Sequence, residues 1–464
     1  MISSSSSVIL RRSDATAGAD ADQPRVIRFR TSLRNTVCDV MKDRPGWRET
    51  ESETEWDFFW CDIHWLHEFY DGLYLREDQR INHFKNHYEV CVEMLTRKDL
   101  LVKNMKRMMK ETAKAPVRHG GGKDVAEHYD LIATSYALPQ EHALFSEEFK
   151  RHPGTVWIMK PVGKAQGRGI FLINKMSQIN GWRKDPRLMA RGENGEPVDG
   201  PEAYIVQRYI ERPYLIGGKK FDIRAYALVT CWNPLTVHIH RHAFCRFSNT
   251  QFSMDAKDIS NMYIHATNVA IQKTAPNYDG SKGCKWLIRN LKLFLASKHG
   301  EDAVLALFNQ IEELMIRALV SVAKIMINDK HCFELYGYDV LIDQDLRPWL
   351  LEINASPSLT AETQWDYDLK YGLLNDMFDV VDMERKCPPP SEAGPRTCVG
   401  GFDLVYYDGP VAHANASVYE TMLGAYHPIK PAPRKFGKKR RPPATTAAES
   451  MDLTNLTGST TCTP

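Results

Sequence analysis

Polar and apolar residues alternate with a period of two along KKFDIRAYALVT, residues 219 to 230. The pleat of a strand places Lys220, Asp222 and Arg224 on one face and Phe221, Ile223, Ala225 and Ala227 on the other. A solvated edge strand would account for that alternation, but the run stays apolar through Val229. This predicts a buried strand whose charges need partners: phosphate, metal or carboxylate. In FELYGYDVLIDQDLRPWLLEINASPSL, two strand-like runs flank Asp343, Gln344 and Asp345, a composition that predicts a hairpin. Asp339 and Glu352 lie equally far from its centre and should face each other across the antiparallel pair, with Asn354 on the same face.

A second hairpin is predicted in TVWIMKPVGKAQGRGIFLI, where Lys160 ends an apolar run and Gly163, Gly167 and Gly169 form the tip. Tyr204 begins a further strand that turns at Pro213. Helical spacing appears in three places. TRKDLLVKNMKRMMK sets Leu100, Leu101, Met105 and Met108 on one side and Lys103, Lys106, Arg107 and Lys110 elsewhere, and Leu291 to Lys298 and Ala303 to Ile327 are also helical. The close aromatics Trp56, Phe58, Phe59, Trp60, Trp65 and Phe69 predict the core of a small N-terminal domain. HGGGK, residues 119 to 123, reads as a loop and not a phosphate-binding motif, because no strand precedes it and no Ser or Thr follows the lysine. ASPSL after Asn354 reads as a turn and helix cap.

These elements predict an α+β or α/β fold with mixed or antiparallel sheets. The expected divisions are a flexible leader (1–24), an N-terminal domain (25–95), a central domain with the glycine hairpin (96–200), a C-terminal domain with the acidic hairpin (201–386) and a basic, proline-containing tail (387–464). Composition changes little. With 43% apolar and 25% charged residues most of the 464-residue chain should fold, and a net charge of +2 gives no sign of a nucleic-acid partner. The ten cysteines form no Cys-x-x-Cys pair and read as reduced thiols of the cytoplasm. No apolar run approaches the roughly 20 residues that span a bilayer, so no membrane insertion is expected.

Two converging carboxylates and an amide oxygen suit Mg²⁺, which joins protein carboxylates to nucleotide phosphates. Neutralisation by nearby Arg or Lys is the alternative. The glycine tip could close over phosphates with Lys160 as a point charge, and Gln207, Arg208, Tyr209 and Ile210 could form a hinge for adenine. A flexible hairpin and a plain core strand would look similar.

In this order, WIMKP, AQGRGI, VQRYI, KKFDIRAY, HATN, KHCFELYGYDVLID and PWLLEINASPSL resemble the ATP-grasp core of the tubulin tyrosine ligase-like family, in particular its polyglutamylases. The resemblance runs from about Val26 to Asp382. It implies an ATP-dependent carboxylate–amine ligase that adds free L-glutamate to the acidic tails of tubulin, in the cytoskeleton of cilia and flagella, including axoneme and basal body. By resemblance, Asp339, Glu352 and Asn354 hold Mg²⁺. Lys160 and the Gln166, Gly167, Arg168 and Gly169 loop meet the ATP phosphates, and Gln207 to Ile210 hold adenine and ribose. Lys220, Asp222, Thr267 and Asn268 complete the nucleotide site. Arg224 lies near the transferred phosphate, while Arg246 and Lys285, with Gln166, hold the incoming glutamate.

Two departures stand out. Val90 to Met94 is an insertion where relatives continue directly from NHYE to LTRKDL, and Ala266 replaces the usual leucine before Thr267. A glycylase and a catalytically inactive microtubule scaffold, using basic patches such as Lys438 to Arg441, are the other readings. Whether accessory subunits take part is open at this level.

Overall fold

The computed structural model describes residues 25–63, 65–66, 75–84, 94–115, 127, 129–182, 189–191, 197–276, 285–355, 357–388, 394–411, 420–433 and 435. The leader, HGGGK, Phe69, residues 90–93 of the insertion and the basic patch Lys438 to Arg441 lie outside them.

The largest sheet is antiparallel and grows outward from the strand Lys219–Trp232. On one side lie Phe244–Phe247 and then Lys285–Leu287, and on the other Glu334–Ile342 and then Pro348–Asn354. From Ala227 onward the long strand also pairs with Leu235–His240, which carries Phe402–Tyr407. The helices Ile288–His299 and Glu301–Ala323 supply Leu291, Leu295, Leu307, Ile311 and Met315 to the core against this sheet. Gly300 separates the two helices with φ +84, a backbone angle that glycine adopts without penalty.

A second antiparallel sheet orders Ser135–Leu138, Tyr204–Arg208, Trp157–Pro161 and Phe171–Ile173 around Trp157, Met159 and Tyr204. Its last two strands are the predicted glycine hairpin. The N-terminal sheet is parallel: Trp47–Glu49, Ile27–Thr31, Phe58–Trp60 and Arg80–Ile81. Parallel pairing was not legible in its short strands.

The aromatic cluster does not form one local core. Successive residues of a strand point to opposite faces, so Phe58 packs with Trp47 and Phe378, whereas Phe59 and Trp56 join the core of the large sheet. The helix Gln364–Val381 closes over the N-terminal sheet through Leu373, Met377 and Phe378. The N-terminal segment thus completes its core with residues more than 300 positions away.

Candidate functional site

The site grows from strand register. Asp222 pairs with Arg246, which in turn pairs with Lys285; two residues along the long strand, Arg224 pairs with Asp339, which pairs with Glu352. Because residues two apart share a face, these form two neighbouring rows across five strands. Six charged side chains of mixed sign meet there.

The acidic hairpin is less symmetric than its sequence suggests. Ile342 pairs with Pro348, centring the turn on Asp345, so Glu352 lies one residue farther from the centre than Asp339. A bulge between Asp339 and Val340 leaves Leu351 as the extra residue. Without it Glu352 would pair with Tyr338 and point away from Asp339; the bulge turns it onto the charged face. Opposite Asn354, a Cβ on Gly337 would stand 2.8 Å from Pro357 Cβ and 3.3 Å from Arg224 Cδ, so the close approach requires glycine.

Asp339 is held tightly. Arg224 donates to Oδ1 from Nε at 2.5 Å and to Oδ2 from Nη2 at 3.0 Å, and Arg246 Nη2 donates to Oδ2 at 2.6 Å. Burial pushes this carboxyl up, but the two guanidiniums outweigh it and hold it far below the carboxylate range. Arg246 also donates to both Asp222 oxygens at 2.7 and 2.5 Å, and Thr267 Oγ1 donates to Asp222 Oδ2 at 2.7 Å. Glu352 differs: burial and then the Asp339 charge push its carboxyl up. Asn354 Nδ2 donates to the Gly337 carbonyl at 3.2 Å, leaving the amide oxygen as its acceptor.

Two desolvated lysines face the same cleft. Lys160 Nζ donates to Gln207 Oε1 at 2.7 Å, and Gln207 is oriented by its own bond to Ser135 Oγ at 2.9 Å. Burial brings Lys160 down to about 8 and Lys220 to about 7. Lys220 donates to the Tyr209 hydroxyl at 3.0 Å and to the His265 carbonyl at 2.9 Å. His265 Nε2 faces the Asp258 carbonyl at 3.1 Å and must donate, so Nδ1 accepts from Tyr209 at 3.0 Å. Burial lowers His265 to about 4, which keeps the ring neutral.

Lys160, Gln207 to Ile210, Lys220, Asp222, Thr267, Asn268, Asp339 and Glu352 line one cleft. Ile158, Ile170, Leu341 and Leu351 give it apolar walls that sequence reading missed, although the doubled Leu350–Leu351 breaks strand alternation where the bulge falls. The Arg208 and Tyr209 amides already donate to Thr134 and Val156 carbonyls, leaving Ile210 as the hinge residue with an uncommitted N–H among the described residues. The glycine tip lies against Asn268 at the edge of this cleft. Gly167 has φ +76, and a Cβ there would meet Ile271 Cδ1 at 2.5 Å and Asn268 Oδ1 at 3.2 Å. Gln166 also has positive φ, while Arg168 Nη2 bonds Gln166 Oε1 at 3.1 Å; both side chains are exposed.

Arg224, Arg246, Asn354 and Lys285 flank the cleft rather than line it. Lys285 donates to Asp366 Oδ2 at 3.0 Å, and so does Lys370 at 3.1 Å, a buried lysine that sequence reading did not single out. Burial lowers Lys370 to about 8 despite Asp366.

The sequence profile of the Tubulin-tyrosine ligase family matches residues 73–392. The chain belongs to this family. It is 47% identical to the "Probable tubulin polyglutamylase TTLL9" of Rattus norvegicus, an alignment covering 86% of this chain and 87% of the rat protein. The Caenorhabditis elegans "Probable tubulin polyglutamylase ttll-9" is 44% identical, over 82% of this chain and 84% of the worm protein. The "Probable alpha-tubulin polyglutamylase Ttll1" of Tetrahymena thermophila is 40% identical over 82% and 92%. The family and these relatives mark the chain as a ligase, and no helix among the described residues is long and apolar enough to cross a membrane.

Proposed function

We propose that this chain is a tubulin polyglutamylase: an ATP-grasp ligase joining the α-amine of free L-glutamate to the γ-carboxylate of a glutamate in an acidic tubulin tail. The observation that carries the chemistry is the Asp339–Glu352 pair, a buried and a half-buried carboxylate in register beside two buried arginines. Supporting the substrate are relatives named as tubulin polyglutamylases at 40–47% identity.

The donors fit a hard divalent cation. Three N–H groups reach the roughly four lone-pair sites of Asp339, leaving one, while Glu352 and the Asn354 oxygen face the same side. Among the described residues no three His, Cys, Asp or Glu side chains gather as a metal site, consistent with an amide as third donor. Bound Mg²⁺ would neutralise charge on the transferred phosphate.

Lys160 and Lys220 are desolvated ammonium groups for which ATP phosphates are a natural counter-charge, with Gln166 to Gly169 closing from above. Adenine and ribose lie along Gln207 to Ile210, and Asp222, Thr267 and Asn268 complete the site. The acceptor γ-carboxylate attacks the γ-phosphorus, the bond to ADP breaks, and an acyl phosphate results. Arg224 disperses the developing charge. The glutamate α-amine then attacks the acyl carbon, loses a proton, and phosphate leaves as the isopeptide bond forms. Arg246 and Lys285 exchange their protein carboxylates for those of glutamate, a role Gln166 shares. No protein nucleophile takes part. The setting is the microtubule cytoskeleton of cilia and flagella.

The test is purified protein with tubulin, MgATP and labelled glutamate, glycine or tyrosine, comparing wild type with Glu352→Gln. Glutamate incorporation that depends on Glu352 is expected. Glycine incorporation overturns the specificity, and microtubule binding without Glu352-dependent incorporation makes the chain a scaffold.

A further inference from the structure

The helix Lys98–Lys114 takes no part in the chemistry above, yet its two sides differ sharply. Leu101, Val102, Asn104 and Met105 are buried, with Met105 in the core beneath the large sheet and Val102 packed on Val162 and on Ile205 of the second sheet. On the outer side Lys103, Lys106, Lys110 and Lys114 are exposed at intervals of three or four residues, forming one stripe. Together with Arg107 they line an open groove that also contains Glu111 and Glu127. Lys106 is paired with Glu141, and Arg107 donates to the Ser321 carbonyl. Lys103, Lys110 and Lys114 have no ion pair among the described residues.

The start of this helix, before the groove begins, approaches the glycine hairpin. At the start of the helix Lys98 Nζ donates to the carbonyl of Lys164, in the glycine hairpin, at 3.0 Å. The Lys98 charge is felt by both Lys160 and Glu352. The helix start, five residues before the stripe begins, therefore lies near the cleft.

We infer that this groove docks the acidic segment flanking the acceptor glutamate, holding an extended, glutamate-rich peptide against Lys103, Lys110 and Lys114. Successive lysines rise about 4.5–6 Å along the helix axis, close to the roughly 6.6 Å between same-face side chains of an extended chain. From Lys103 to Lys114 the stripe spans about 16 Å, the length of about five extended residues. Charge complementarity selects the occupant: free cations on a net basic groove fit a run of carboxylates, and binding through exposed charges is salt-sensitive. This surface rests on the proposed acidic acceptor and holds the segment that flanks it.

The test is fluorescence anisotropy of a fluorescein-labelled, glutamate-rich peptide of about 20 residues, long enough to span stripe and cleft. Full-length wild type is compared with the Lys103→Glu, Lys110→Glu, Lys114→Glu triple variant and its Gln counterpart. A Lys150→Glu, Lys257→Glu double variant, altered at exposed lysines outside the groove, is the control. The Glu triple should raise Kd at least about tenfold, the Gln triple less, and the control by under about twofold, with all proteins retaining MgATP binding. Raising salt should weaken wild type more than the Gln triple. Unchanged affinity in both triples, an equal loss in the control, or no binding by wild type overturns the inference. Failure of wild type to incorporate glutamate would instead overturn the proposed function, because the anisotropy reads docking without catalysis.

Discussion

The strand Glu334–Ile342 carries two buried carboxylates five residues apart, and their surroundings are opposite in character. Glu334 faces His83 Nδ1 at 2.9 Å and accepts from Tyr336 Oη at 2.7 Å, inside the protein and away from the cleft. Asp339 lies on the other side of the strand, at the cleft, held by two permanently charged arginines and set against a second carboxylate. The first network is closed by a histidine and a phenol. The second concentrates charge where an outside ligand can reach it. Burial of a carboxylate alone therefore says little; access and the strength of the surrounding charges separate a structural acid from a reactive centre.

This contrast can be broken by amide substitutions at three positions. Asp339→Asn should be most damaging, because it leaves Arg224 and Arg246 without their shared carboxylate: about 3–5 kcal/mol of stability is expected to go, with activity. Urea unfolding of the variant checks the first part. Glu352→Gln removes like-charge repulsion, so stability should hold or rise while glutamate incorporation falls about 100- to 1,000-fold, as for loss of a group stabilising transition-state charge. Glu334→Gln should do the reverse, costing about 1–3 kcal/mol while leaving the KM values for ATP and glutamate unchanged in the folded fraction. If Glu334→Gln abolished turnover without destabilising the protein, the division between the two networks would be wrong.

A smaller effect sharpens the description of the cleft. Lys160 has an ordinary value of 10.5 lowered to about 8 by burial, so the folded form binds its proton less well than the unfolded form. The cost of burying this charge is present in full below about pH 8 and is relieved as pH rises toward 10.5. Thermal melts between pH 7 and 10 should therefore rise more steeply with pH in wild type than in Lys160→Met. Identical slopes would mean that Lys160 is well solvated.

Much of this was legible in the sequence because the charged face obeys a period of two. Lys220, Asp222 and Arg224 announced their strand, and the turn at Asp343 to Asp345 announced the hairpin. The bulge was harder: the turn is centred on Asp345, so an unbulged hairpin would have paired Glu352 with Tyr338, and the extra residue Leu351 restores its pairing with Asp339. Tyr209 and His265 were missed as partners of Lys220 because they lie 11 and 45 positions away and meet it only in three dimensions. Lys370 was hidden for the same reason, since its bond to Asp366 reads as an ordinary i, i+4 helix pair until Lys285 is seen on the same oxygen. The N-terminal aromatics read as one core because their spacing gives no sign of the distant helix Gln364–Val381 that completes it.

The most direct measurement is the thermal shift produced by MgATP in wild type, Glu352→Gln and Glu334→Gln. A nucleotide–metal site on the Asp339–Glu352 face predicts a clear rise in Tm for wild type, a similar rise for Glu334→Gln from its lower baseline, and a much reduced rise for Glu352→Gln. Equal shifts in all three proteins would contradict it.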